Sequence, residues 1–173
     1  MTEIVKLSKL MAFVLRHQPS SVGITLTSEG WVELETLSTA LETSIEKIME
    51  VVTADSKQRF TVSAGQIRAA QGHSIPLSMT FVESTPPEFL WHGTVEAFLA
   101  PIMSEGLLPM SRQFVHLSAS VETATTVAKR RSGEVILLKV ETASFIKAGH
   151  KLMQAENGVW LTEHVPAQFI TKP

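Results

Sequence analysis

The chain has 173 residues, 44% hydrophobic and 18% charged, which supplies a core for one medium domain or two small lobes and excludes global disorder. It contains no Cys, so disulfide frameworks, thiolate zinc sites, iron–sulfur clusters and cysteine nucleophiles are excluded together. Lys+Arg (15) and Asp+Glu (17) nearly cancel, with 7 basic and 8 acidic groups in residues 1–75 and 8 and 9 in residues 76–173; neither half is a polycation, so a nucleic-acid partner has to be held through a small local cluster. Asp55 is the only Asp, which leaves little for an oxygen-rich divalent site and points to metal-free chemistry.

The N-terminal stretch is apolar only in a short patch broken by Lys6, Lys9 and Arg16. It is neither a signal peptide nor a membrane span, and a cytoplasmic protein with no membrane partner is expected. Ile4, Leu7, Met11 and Val14, broadened by Leu10, Phe13 and Leu15, predict an amphipathic helix over 4–15 that Pro19 ends. Residues 23–26 alternate like a short strand, and Glu29-Gly30 turns into Trp31-Val32. Helices are predicted over 33–41 and 44–54, the second with Ser44 as N-cap. Residues 59–62 and 66–69 read as a hairpin around Ser63-Ala64-Gly65. The stretch 72–88 holds three of the eight prolines and is the best candidate linker. Beyond it, short strands are predicted at 89–92, 114–117, 134–140, 158–162 and 168–171, with helices over 95–105 and 121–129. Helices followed by a hairpin suggest a winged-helix-like lobe, and the rest reads as an α+β lobe.

Six segments carry the residues of interest. Arg16 and His17 close the first helix, where cations also complement the helix dipole. Arg68 lies on a predicted strand ahead of Gly72, His73 and Ser74. Trp91-His92-Gly93-Thr94 joins a His at a strand end to a Gly that can be approached closely and a Thr that both donates and accepts. His116 lies inside an apolar strand, Val115 to Ser118, where a lone His is ordinarily a satisfied core residue. Lys129-Arg130-Arg131 ends a helix, ordinarily as a solvated terminus. Asn157-Gly158 reads as a turn into a strand. No nucleophile elbow, Walker loop, dinucleotide fingerprint or His-Glu-x-x-His helix is present. Scattered Arg and His suit phosphate or nucleotide handling, and the residues alone go no further.

Taken in order, these segments, with Leu7-Ser8-Lys9, Gly30-Trp31, Arg59-Phe60 and Gly106-Leu107, resemble the RNA 2′-phosphotransferases of the KptA family over almost the whole chain. The resemblance implies a winged-helix-like RNA-binding lobe over 1–75, a linker at 76–88 and an ADP-ribosyltransferase-like NAD-binding lobe over 89–173, the two meeting at a cleft. It implies removal of an internal RNA 2′-phosphate, as at a tRNA splice junction, through an ADP-ribosylated RNA intermediate. NAD is consumed as co-substrate, no metal takes part, and a monomer is expected. By position, the family's catalytic residues fall on Arg16, His17, Arg68 and Arg130, with Arg68 bridging the lobes. The NAD-binding segments fall on His92, Gly93 and Thr94, on His116, Leu117 and Ser118, and on Asn157 and Gly158.

The chain departs from the family pattern in two places. Ala128 and Ser132 replace glycines around the C-lobe Arg, which leaves Arg130 and Arg131 as rival candidates with Arg130 favoured by register. Trp91 replaces a Tyr, which keeps a packing role and removes a hydroxyl. Two other functions stay open: an ADP-ribosyltransferase that stops at a capped nucleic-acid terminal phosphate, and a non-catalytic winged-helix reader, against which the even charge balance argues.

Overall fold

In the computed structural model, which describes residues 2–78, 81 and 84–173, the chain divides into two units, Met1–Thr80 and Phe81–Pro173. Each has its own hydrophobic core and an α+β make-up. Part of the linker expected at 76–88 lies outside the described residues.

Unit 1 runs α1 (Glu3–Arg16), β1 (Val32–Glu33), α2 (Leu34–Ala40), α3 (Ile45–Ala54), β2 (Phe60–Ser63) and β3 (Gln66–Ala69). Met11, Val14 and Leu15 of α1 are fully buried, and Ile4 and Leu7 pack at the edge of the same core. Leu10 and Phe13, expected to widen the stripe, lie off the 4-7-11-14 line and are more than 40% exposed. Thr2 caps α1 by accepting from Val5 N, and Ser44 caps α3 by accepting from Lys47 N, each satisfying an amide that the first helical turn leaves open. The strands form an antiparallel sheet in the order β1-β3-β2, with Thr61 opposite Arg68 and Val62 opposite Ile67.

The strand expected at 23–26 does not form. Gly23, at φ 72°, closes a short 3-10 helix over Pro19–Val22, and Ile24 N bonds back to Pro19 O. Ile24 is buried in the core and Leu26 packs against its edge, so the alternation there records two anchored side chains, not sheet pairing. The lone aspartate has a structural place: Asp55 accepts from the backbone amides of Lys57 and Arg59 and pairs with the Arg59 guanidinium, closing the α3–β2 turn.

Unit 2 contains β4 (Phe89–Val95), α4 (Leu99–Glu105), β5 (Val115–Leu117), α5 (Val121–Ala128), β6 (Val135–Glu141), α6 (Thr142–Lys147), β7 (Met153–Gln154), β8 (Trp160–Thr162) and β9 (Ile170–Thr171). They form two antiparallel sheets, β4-β6-β9 and β5-β8-β7. Among the described residues the sheets share one backbone pairing, Trp91 with Ser118, where each amide donates to the other's carbonyl at 2.8 Å. The core gathers Leu90, Leu117, Leu138, Val140, Phe145 and Trp160.

Several boundaries differ from the sequence expectation. Val95 finishes β4, so the expected 95–105 helix becomes a 3-10 turn over Glu96–Phe98 followed by α4. The start of the expected 168–171 strand belongs to a 3-10 turn over Ala167–Phe169, and α6 was not expected. Its Thr142 is held by a hydroxyl that donates to Pro87 O at 2.6 Å, a long-range bond with no local sequence signal.

α5 lies against β4 at Gly93. A Cβ at this position would stand 1.9 Å from the carbonyl oxygen of Ala124 and 3.1 Å from the Ala128 methyl, so the hydrogen of Gly93 is what lets the helix backbone reach the strand. Gly93→Ala is expected to lift α5 and lower stability by at least about 1–3 kcal/mol, the range for overpacked cores. Urea melts of the variant and the parent check this, and an unchanged midpoint would contradict it.

Candidate functional site

In unit 1 the end of α1 and the chain leaving β3 are tied together. His17 N donates to Phe13 O as α1 closes, placing Arg16 and His17 beside carbonyls whose partial charge favours cations. After β3 the chain turns at Gly72, whose φ of 90° is readily accessible only to glycine. That turn delivers Ser74 to the helix end: its amide donates to Arg16 O at 3.0 Å, and its hydroxyl is hydrogen-bonded to His17 Nδ1 at 2.9 Å. A Cβ on Gly72 would stand 3.7 Å from Cδ, Nε and Cζ of Arg16, so the Arg16 side chain runs along the turn.

Arg68 comes from the neighbouring strand. Ile67 and Ala69 belong to the core, and strand alternation turns Arg68 to the opposite face. There its Cζ stands 4.4 Å from the centre of the Trp31 ring, a cation–π contact, and its Nη1 donates to Glu29 O at 3.4 Å. Arg68 and His73 are 4% and 3% exposed. Burial pushes the His73 pKa down to about 4, and the nearby Arg16, His17 and Arg68 push it the same way. At pH 7 this imidazole is neutral. Its Nε2 is buried with no hydrogen-bond partner among the described residues.

The structure therefore brings together three residues chosen from sequence, Arg16, His17 and Arg68, and adds three that carried no assigned role: Trp31, His73 and Ser74. Two guanidinium groups from different elements, with a histidine and a hydroxyl, can grip a phosphate from several sides. The Gly72-His73-Ser74 run was visible in the sequence, but the turn that folds it back onto α1 is a tertiary feature.

In unit 2, β4 presents His92 opposite Leu138 of β6. Its Nδ1 is 3.1 Å from the carbonyl oxygen of His116 on β5, the geometry for an Nδ1–H donor, which leaves Nε2 with the lone pair. Burial lowers the His92 pKa and Arg131 adds to the effect, while the bond to His116 opposes them. Ser118 sits one strand away through its pairing with Trp91. β4 and β5 thus bring His92, His116 and Ser118 together.

Other residues chosen from sequence have structural places. Gly93 faces α5, Thr94 is 5% exposed, and the Leu117 side chain lies in the core at 1%; for Leu117 only the backbone is available to a ligand. Asn157 and Gly158 form the β7–β8 hairpin turn, where Gly158 N donates to Ala155 O at 2.9 Å and Asn157 Oδ1 accepts from Val159 N at 3.4 Å. No hydrogen bond among the described residues joins that turn to His92 or Ser118.

Arg130 and Arg131 follow α5 in a turn in which each amide bonds back to the helix. Both are exposed, and Arg131 Cζ stands 4.9 Å from the centre of the exposed Phe98 ring. Arg112, which belongs to none of the six segments, joins them: desolvation first, then Arg130 and Arg131, lower its pKa, and it stays charged at neutral pH. None of the three forms an ion pair with a carboxylate among the described residues. Such a surface suits a polyanion.

A family model described as RNA 2′-phosphotransferase, Tpt1 / KptA family, matches residues 2–164. The chain is 44% identical over 170 residues to a probable RNA 2′-phosphotransferase of Rhizobium rhizogenes, a match spanning 96% of this chain and 92% of that protein. Probable RNA 2′-phosphotransferases of Streptomyces coelicolor and Fusobacterium nucleatum are 42% and 39% identical; the matches span 98% and 96% of this chain, and 95% and 97% of those proteins.

The state of His73 gives an expectation for pH. Its folded pKa lies below the unfolded value of about 6.5. As pH falls from about 6.5 to about 4 the unfolded chain takes the proton first, so this contribution to stability is lost through that window and levels off below it. At 1.36 kcal/mol per pKa unit its size is roughly 3 kcal/mol. In urea melts across this range, His73→Asn is expected to flatten the pH dependence by about that amount; parallel curves would contradict it.

Proposed function

The chain belongs to the Tpt1 / KptA family of RNA 2′-phosphotransferases, and on that premise we propose that it removes an internal RNA 2′-phosphate, such as a tRNA splice junction carries, and transfers it to NAD. The observation that carries this reading is the gathering of Arg16, His17 and Arg68 around the Gly72–Ser74 turn, a set of donors suited to one phosphate group. The order helix, strand, two helices, hairpin, with the sheet β1-β3-β2, supports reading unit 1 as a winged helix that holds the RNA. The two small sheets joined at Trp91–Ser118 support reading unit 2 as an ADP-ribosyltransferase-like lobe.

NAD enters as a substrate, and the residues of unit 2 fit its chemistry. Arg112, Arg130 and Arg131, which among the described residues have no carboxylate partner, suit a diphosphate. His92 has an acceptor nitrogen available once Nδ1 is committed to His116 O, which suits a ribose hydroxyl or an amide. Neither set calls for a metal.

In the first step an oxygen of the RNA 2′-phosphate attacks the anomeric carbon of the nicotinamide ribose. The carbon–nitrogen bond breaks, its electron pair goes to the pyridinium ring, and neutral nicotinamide leaves. No strong acid is needed, and the contribution of the protein is alignment and a field that favours a cationic ribose. In the second step the ribose 2″-hydroxyl attacks phosphorus and the bond to the RNA 2′-oxygen breaks. The hydroxyl proton ends on the RNA 2′-oxygen, leaving ADP-ribose 1″,2″-cyclic phosphate and RNA with a free 2′-hydroxyl. Negative charge grows on the phosphoryl oxygens, and Arg68 and Arg130 are assigned to meet it. Arg16 and His17 are assigned to the incoming phosphate.

Incubation with NAD and a short RNA bearing one internal 2′-phosphate, followed by mass analysis, tests the reading. Dephosphorylated RNA with the cyclic phosphate supports it. A stable ADP-ribosylated RNA with no cyclic phosphate would instead mark a transferase that stops after the first step, and no NAD turnover would overturn the reading. Arg68→Ala and Arg130→Ala are expected to slow the second step by roughly 10²–10³, the loss seen when a charge-stabilising donor is removed, so that 2′-phospho-ADP-ribosylated RNA accumulates. Should both variants only stop consuming NAD, the division of labour is wrong.

A further inference from the structure

His73 stands out because its arrangement works against folding. A buried ring nitrogen with no partner normally costs stability, and native structures rarely keep one without a use. Here Nε2 is buried and unpartnered among the described residues. The charged and titratable groups packed about the ring are Arg16 and His17 from α1 and Arg68 from β3. The turn that carries the ring is held on both sides, by Gly72, along which Arg16 runs, and by Ser74, which is bonded to both Arg16 O and His17 Nδ1.

We propose that His73 completes the phosphate site: when a phosphate monoester binds to Arg16, His17 and Arg68, Nε2 of His73 takes up one proton from solvent and donates it as a hydrogen bond to a phosphate oxygen. This rests on the reading of the cluster as the RNA 2′-phosphate site. Burial is the larger cause of the ring's neutrality and the cations Arg16, His17 and Arg68 the smaller; a bound dianion compensates the cations and offers the buried imidazolium a counter-charge, so it opposes both. Nε2 is closed to solvent in this structure, so a neighbouring side chain has to move for the anion to reach it. The bond formed joins an imidazolium N–H to an anionic oxygen, among the stronger hydrogen bonds a protein makes. One proton leaves the buffer for each dianion bound, so binding of an anion whose own charge stays fixed tightens as the solution becomes more acidic.

The test uses the full chain labelled with ¹⁵N-histidine, with the His73 ring signals assigned by their loss in His73→Asn. Two probes are titrated without NAD: a short RNA with one internal 2′-phosphate, and inorganic sulfate, whose charge does not change across the range. At saturation with either probe the titration midpoint of His73 is expected to rise from about 4 by about three pH units, to near 7, so that the ring is charged in the complex at pH 6 and neutral at pH 8. His73→Asn is expected to weaken the 2′-phosphorylated RNA by about tenfold or more at pH 6 and by less at pH 8. A midpoint that stays put while the RNA binds, or an equal loss at both pH values, overturns the role of His73 and leaves the phosphate site standing. If the parent protein does not distinguish 2′-phosphorylated from unmodified RNA, the reading of the cluster falls, and this inference with it.

Discussion

Two hydrogen bonds from Ser74 to the end of α1, one to the Arg16 carbonyl and one to the His17 ring, hold the unit 1 site together. They bind a turn that follows a strand to the terminus of a helix nearly sixty positions earlier, and through that tie the cationic side chains are kept close despite their repulsion. Like charges brought together in a partly buried place raise the free energy of the folded state. Cap bonds at Thr2 and Ser44 and the core around Met11, Leu37 and Ile67 offset that cost. Such a site is poised for an anion, because binding one relieves strain that the fold has already accepted.

Unit 2 meets the same need differently. Its Arg130 and Arg131 follow a helix end and are exposed to water, where repulsion is screened. Its buried groups, Thr94 and the His92–His116 pair, are strand-borne. The contact of α5 with Gly93 seats the helix from whose end Arg130 and Arg131 follow. Ala128, where the family pattern has glycine, places its methyl in that hollow, so the departure is accommodated by packing.

How much of this could be read from the chain depended on whether the signal was local. α1, α3, the β2–β3 hairpin and the Ser44 cap rest on periodicity and on side chains that bond within three positions, and they stood close to expectation. Residues 23–26 misled because Ile24 and Leu26, both packed on the core without a paired strand, imitate strand alternation. Helix α6 was missed because Thr142 is fixed by Pro87, far away in the chain. Among site residues, Arg16, His17, Arg68 and His92 were marked by motifs. Arg112 had none, and the neutral state of His73 is a property of its surroundings that no spacing encodes.

The pairing between the two sheets of unit 2 has a dynamic consequence. Trp91 and Ser118 exchange both amides with each other, and among the described residues no other ladder backs them. Any sliding of one sheet past the other breaks those two bonds first, and it changes the gap between the His92 ring and the His116 carbonyl in the same movement. The amide protons of Trp91 and Ser118 are therefore natural reporters of that slippage: their replacement by deuterium measures how often the sheets part, independently of whether the rest of the unit has opened.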